Sequence, residues 1–117
     1  MTRAFKILTF QGSMLLAGAL MMGVAVDMAR AAPTPAAAVQ IGNFTFKAQV
    51  LTVKPGTTVT WTNADDIPHT VTSNTGVFKS KVLDSGDKFS FTFAKAGQFS
   101  YFCSLHPHMT GSIIVKA

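Results

Sequence analysis

Along most of this chain, apolar side chains fall on every second residue, in short runs broken by turns. Residues 57–63 place Val59 and Trp61 on one face and Thr58, Thr60 and Thr62 on the other. Residues 88–93 set Phe89, Phe91 and Phe93 against Lys88, Ser90 and Thr92. Residues 98–103 align Phe99, Tyr101 and Cys103. A period of two is that of a strand with one buried face, and β-branched and aromatic residues suit it. Residues 50–54, 69–73 and 112–116 add further strands. Pro55-Gly56 and residues 94–97 read as turns. Residues 74–86 are irregular, with room for one short strand or helical turn. No stretch carries a helical period of useful length. Six or more short strands within roughly 80 residues predict an all-β fold, a two-sheet antiparallel Greek-key β-sandwich.

The first third of the 117 residues does not share this pattern. Arg3 and Lys6 precede an uncharged stretch over 7–26, Asp27 closes it, and Ala29-Arg30-Ala31 follows. A positive start, an apolar middle and a small-residue cleavage pattern are the layout of a secretory signal peptide, assigned here to residues 1–31. The alternative is an uncleaved anchor, since 7–26 is just long enough to span a bilayer. Gln11 and Ser13 shorten its apolar part. No Arg-Arg pair precedes it, which favours a Sec-type route. Residues 32–38, Ala-Pro-Thr-Pro-Ala-Ala-Ala, read as a flexible lead. The folded domain is then 39–117. The expected product is a monomer exported to the periplasm, with no stable membrane insertion after cleavage.

Removing the signal changes the charge argument. The whole chain carries +5. The remainder keeps seven Lys against four Asp, a net +3, with no Arg and no Glu. Nucleic-acid binding loses its main support. The remainder also keeps one Met, Met109, one Cys, Cys103, and three His, at 69, 106 and 108. Nearly every soft ligand thus falls within residues 103–109. An unpaired Cys in an oxidising compartment is a liability unless a metal holds it. Two His, one Cys and a weak axial Met suit a copper site for electron transfer. Cys103 ends a strand on the parity of Phe99 and Tyr101, so its sulfur should face inward. His69 begins another strand on the parity of Val71. Two strand ends can bring them together, and the loop can fold His106 and Met109 over the same point.

At this point the chain resembles the cupredoxins, the plastocyanin and amicyanin group in particular. The resemblance lies in Val59-Thr60-Trp61-Thr62-Asn63, in Ile67-Pro68-His69-Thr70-Val71, in Gly97-Gln98-Phe99-Ser100-Tyr101-Phe102-Cys103, and in Cys103-x-x-His106-x-x-Met109. The short gap between His106 and Met109 is similar to amicyanin. Leu105 replaces a proline common in this loop, and His108 stands where amicyanin has an aromatic residue. The resemblance implies one copper ion, with His69, Cys103 and His106 as equatorial ligands and Met109 as the axial one. It implies that the Thr70 amide donates to the Cys103 sulfur and that the Asn63 side chain ties to Ser104. Pro68 and Pro107 restrict the backbone beside the two His. His108 is expected at the surface beside His106.

Rival readings are weaker. Zinc held by Cys103 and three His would need His108 and leave Met109 idle. A Cys103–His106 nucleophilic pair has no orienting Asn or Asp in its loop. Asp65 and Asp66 read as an exposed loop pair, and Trp61 and the Phe residues as core. The expected function is therefore not enzymatic. It is a shuttle of single electrons from a dehydrogenase-like donor to a cytochrome c-like acceptor. The alternative is a protein that stores or delivers copper.

Overall fold

The computed structural model describes residues 34–117. The proposed signal over 1–31 lies outside them. Among the described residues there is no helix, and none long and apolar enough to cross a membrane. Eight strands follow in order. They are β1 (Ala36–Gly42), β2 (Thr45–Lys47), β3 (Val50–Val53), β4 (Thr57–Asn63), β5 (Thr72–Ser73), β6 (Lys88–Phe93), β7 (Gly97–Cys103) and β8 (His106–Val115). They form two four-stranded sheets, ordered β2-β1-β4-β6 and β3-β8-β7-β5. The all-β sandwich read from the sequence is the fold.

The pairing within it is mixed. β1 runs parallel to β4, and β3 parallel to β8, while the other neighbours are antiparallel. The reason is connectivity. The chain leaves the first sheet after β2, adds β3 to the second, and returns as β4. A strand that returns after such an excursion can run beside its predecessor in the same direction, which no tight hairpin allows. The expected domain start at Val39 also moves. Ala36, Ala37 and Ala38 pair with Thr58, Val59 and Thr60, so the last three residues of the supposed lead are strand. Small side chains gave no apolar period there, but backbone pairing does not need one. The strand expected over 69–73 shrinks to Thr72–Ser73, with His69 held instead by an isolated bridge to Leu83.

β4 shows how the sequence builds the core. Its residues alternate in burial, with Val59 and Trp61 fully enclosed. On its outer face Thr58 meets Thr92 and Thr60 meets Ser90 through hydroxyl pairs at 2.7 Å. Inside, Trp61 packs on Phe78 and Phe89 at 5.7 Å and on Tyr101 at 5.4 Å between ring centroids. Tyr101 lies over its cross-strand partner Gly111 on β8. A Cβ at Gly111 would sit 2.5 Å from Tyr101 Cζ and Oη, so only glycine fits there. The Tyr101 hydroxyl and the Trp61 indole N–H are buried without a hydrogen-bond partner. Burial pushes the Tyr101 phenol up to about 12, slightly opposed by the neighbouring indole. This aromatic floor supports the end of β7, where Cys103 lies.

Candidate metal centre

Cys103 closes β7 on the inward parity set by Tyr101 and is fully buried. Two residues of turn follow, and β8 begins at His106. The register slips at Phe102 and Cys103, where β7 and β8 cease to be a regular ladder. Such irregularities re-aim side chains at sheet ends. β8 alternates inward at Met109, Gly111, Ile113 and Val115, which carries Met109 into the core at 6 % exposure. His69 comes from the segment between β4 and β5. It is fully buried, with its backbone tied to Leu83 in both directions, at 3.1 and 2.8 Å.

These placements converge. Cys103 Sγ lies 3.8 Å from His69 Nδ1 and 3.6 Å from His106 Nδ1. One ligand atom from each of the three falls within 4.8 Å of the others. The Cys103 thiol is free of any disulfide. His106 is half-buried and shares a shallow hollow with Phe44, Leu105, Pro107, His108 and Met109. His108 is exposed and stands outside the three-residue cluster, so the zinc reading loses the ligand it needed.

The surroundings of the sulfur are as specific as the cluster. The Thr70 N–H donates to Cys103 Sγ at 3.3 Å, as the sequence reading expected. The expected tie from Asn63 to Ser104 is not made. Asn63 Nδ2 donates instead to the carbonyls of Ile67 and Leu83, both at 2.9 Å, and its Oδ1 accepts from the Asp65 N–H at 2.9 Å. Ser104 is held by Thr70, whose Oγ1 accepts the Ser104 N–H at 2.7 Å and pairs with the Ser104 hydroxyl at 2.7 Å. Asn63 lies on the β4 side of the His69 loop and braces that loop internally, while Thr70 is the residue that faces the Cys103 turn.

Asp65 departs from its expected role too. Asp66 is exposed, but Asp65 Oδ2 sits 2.7 Å from His69 Nε2. With Nδ1 turned to the sulfur and Nε2 to a carboxylate, the fitting tautomer carries its proton on Nε2, leaving the Nδ1 lone pair toward the cluster. The same carboxylate accepts the N–H of Asn43 at 2.8 Å and of Phe44 at 3.2 Å. The Asn43 N–H, then His69, then the Phe44 N–H hold the Asp65 carboxyl below the usual carboxylate value.

Most of the described chain is similar to known proteins. The profile of the cupredoxin-like domain matches residues 13–115. The amicyanin of Paracoccus versutus is 34% identical over 93 residues, 74% of this chain and 70% of that protein. The amicyanin-alpha of Methylorubrum extorquens is 33% identical over 97 residues, 79% of this chain and 82% of that protein. Among solved structures, a purple cupredoxin from Nitrosopumilus maritimus superimposes with a TM-score of 0.65 at 34% identity, over 68% of this chain and 99% of that one.

The chain belongs to the cupredoxin family.

Two residues at this cupredoxin centre escaped the sequence reading. Asp65 could have been found by its place four positions before His69, inside a polar loop. Phe44 could have been found through Gly42-Asn43, a turn signal that puts the next side chain at a hairpin tip.

The donor set fits copper. A thiol, two imidazoles and a thioether are the ligand types that bind both its oxidation states. The buried sulfur already has an N–H donor, which a thiolate welcomes and a neutral thiol does not need.

Proposed function

We propose that this cupredoxin is an exported carrier of single electrons, with one copper ion held by His69, Cys103, His106 and Met109. The observation that carries the reading is the buried Cys103 sulfur with two imidazole Nδ1 atoms at 3.6 and 3.8 Å. Copper bound there supplies a one-electron couple. The residues supply the rest. Thr70 restrains the sulfur through its N–H. Asp65 fixes the plane and tautomer of His69. Leu83 pins the His69 backbone from both sides. Donors fixed this firmly favour electron exchange over metal hand-off, because exchange needs little rearrangement while delivery needs ligands that let go.

Of the side chains that would hold copper, His106 is the one that reaches the surface, so partner proteins approach there. The partners we assign are a dehydrogenase-like donor and a c-type cytochrome acceptor. The signal over 1–31 directs the chain to the periplasm, where it works as a monomer and not as an enzyme.

The test is copper titration of the purified protein followed by voltammetry. One equivalent of copper and one reversible one-electron wave are expected. A protein that gives up its copper readily to a competing acceptor and shows no reversible wave would belong to copper storage or delivery.

A further inference from the structure

We propose that Phe44 is a positioning residue of the copper centre, an aromatic brace that holds the half-buried His106 in place. The proposal rests on the copper reading above and adds a residue to it.

The turn joining β1 and β2 consists of Asn43 and Phe44, closed by the Gly42–Thr45 pair. Both residues have positive φ, 52° and 57°. A two-residue hairpin with two positive φ values is a type I′ turn, which favours Asn-Gly. Asn43 satisfies the first position. Phe44 violates the second, where a bulky side chain is strained. Burial does not explain the choice, because Phe44 is 54% exposed.

What the ring touches does explain it. Its centroid lies 5.1 Å from that of His106 and 5.8 Å from that of His69, at 88° to both rings. These are edge-type aromatic contacts. The strained turn is held by Asp65, which accepts the N–H groups of Asn43 and Phe44 while contacting His69 Nε2. One carboxylate therefore places His69 directly and His106 through the Phe44 ring. An unfavourable backbone state that is over-determined by its surroundings and set against a ligand points to a role in the site. Without the ring, the exposed side of His106 has only solvent and its own loop beside it.

The experiment compares wild type with Phe44→Gly, Phe44→Leu and Phe44→Trp in the purified protein. Three readouts are taken: the urea midpoint, the rate of Cu(I) transfer to excess chelator, and the relative intensities of the Cu(II) visible bands. Phe44→Gly restores the favoured Asn-Gly turn, so its urea midpoint should hold or rise. It should nevertheless release Cu(I) about 2- to 10-fold faster, the scale of one aromatic contact, with altered band intensities. Phe44→Leu, which keeps apolar bulk without a ring, should resemble the glycine variant. Phe44→Trp should return toward wild type. A glycine variant with wild-type release and bands would overturn the proposal. So would a leucine variant equal to wild type, or a glycine variant that loses stability, since the ring would then serve bulk or fold. A wild type that takes up no copper would defeat the copper reading itself, and the brace with it.

Discussion

His69 turns its Nδ1 toward Cys103 Sγ at 3.8 Å and its Nε2 toward Asp65 Oδ2 at 2.7 Å. The inner nitrogen belongs to the cluster and the outer one to a carboxylate that also ties down the β1–β2 turn. A negative charge thus stands directly behind a proposed copper ligand.

Asp65→Asn removes that charge and keeps the shape. The oxidised site carries the larger positive charge, so it loses more stabilisation than the reduced one. The reduction potential should rise by tens of millivolts, the scale of one nearby unit charge at intermediate dielectric. Voltammetry of both proteins at one pH checks this, and a lower potential in the variant would contradict it.

The same carboxyl gives a pH dependence to the metal-free protein. Its value is lowered in the fold, chiefly by the Asn43 N–H and then by His69. Its stabilisation is therefore fully present above the ordinary carboxylate pKa of ~3.9 and is lost as pH falls through the lowered folded value. The urea midpoint of wild type should exceed that of Asp65→Asn at neutral pH, and the gap should narrow as pH falls below the ordinary carboxylate range. A gap that widens in acid would reverse the sign of the argument.

Gly111→Ala should destabilise by about 1–3 kcal/mol, the usual cost of overpacking a core. The added Cβ would meet the Tyr101 ring 2.5 Å away, and Tyr101 is locked between Trp61, Phe46 and Phe78. Urea unfolding of the two proteins measures it. A change of only a few tenths would mean that Tyr101 yields easily.

Met109→Leu should keep the colour of the copper protein and raise its potential. A thioether is a weak axial donor, and losing it takes more from Cu(II) than from Cu(I). Loss of colour, or a lower potential, would argue against Met109 as a copper ligand.

Much of this was legible in the sequence because its signals were local. Strand parity aimed Cys103 inward beside Tyr101, and the spacing to His106 and Met109 marked one end of the sandwich. Trp61 and Phe93 read as core because alternation states burial directly. The parallel pairings were not legible, since they depend on which sheet each strand joins. Asp65 looked like half of an exposed acidic pair because its partners, Asn43, Phe44 and His69, lie on both sides of a tertiary contact. Ser104 was assigned the wrong partner for a similar reason. Both Asn63 and Thr70 flank the His69 loop, and only the packed backbone decides which of them meets the Cys103 turn.

Binding of copper by the Cys103 thiolate together with His69 and His106 is tested most directly by the visible spectrum of the Cu(II) protein. One equivalent of Cu(II) added to the wild type should give an intense blue colour from sulfur-to-copper charge transfer, and Cys103→Ser should be colourless even if it still takes up metal. A colourless wild type, or a Cys103→Ser variant that turns equally blue, would contradict the account.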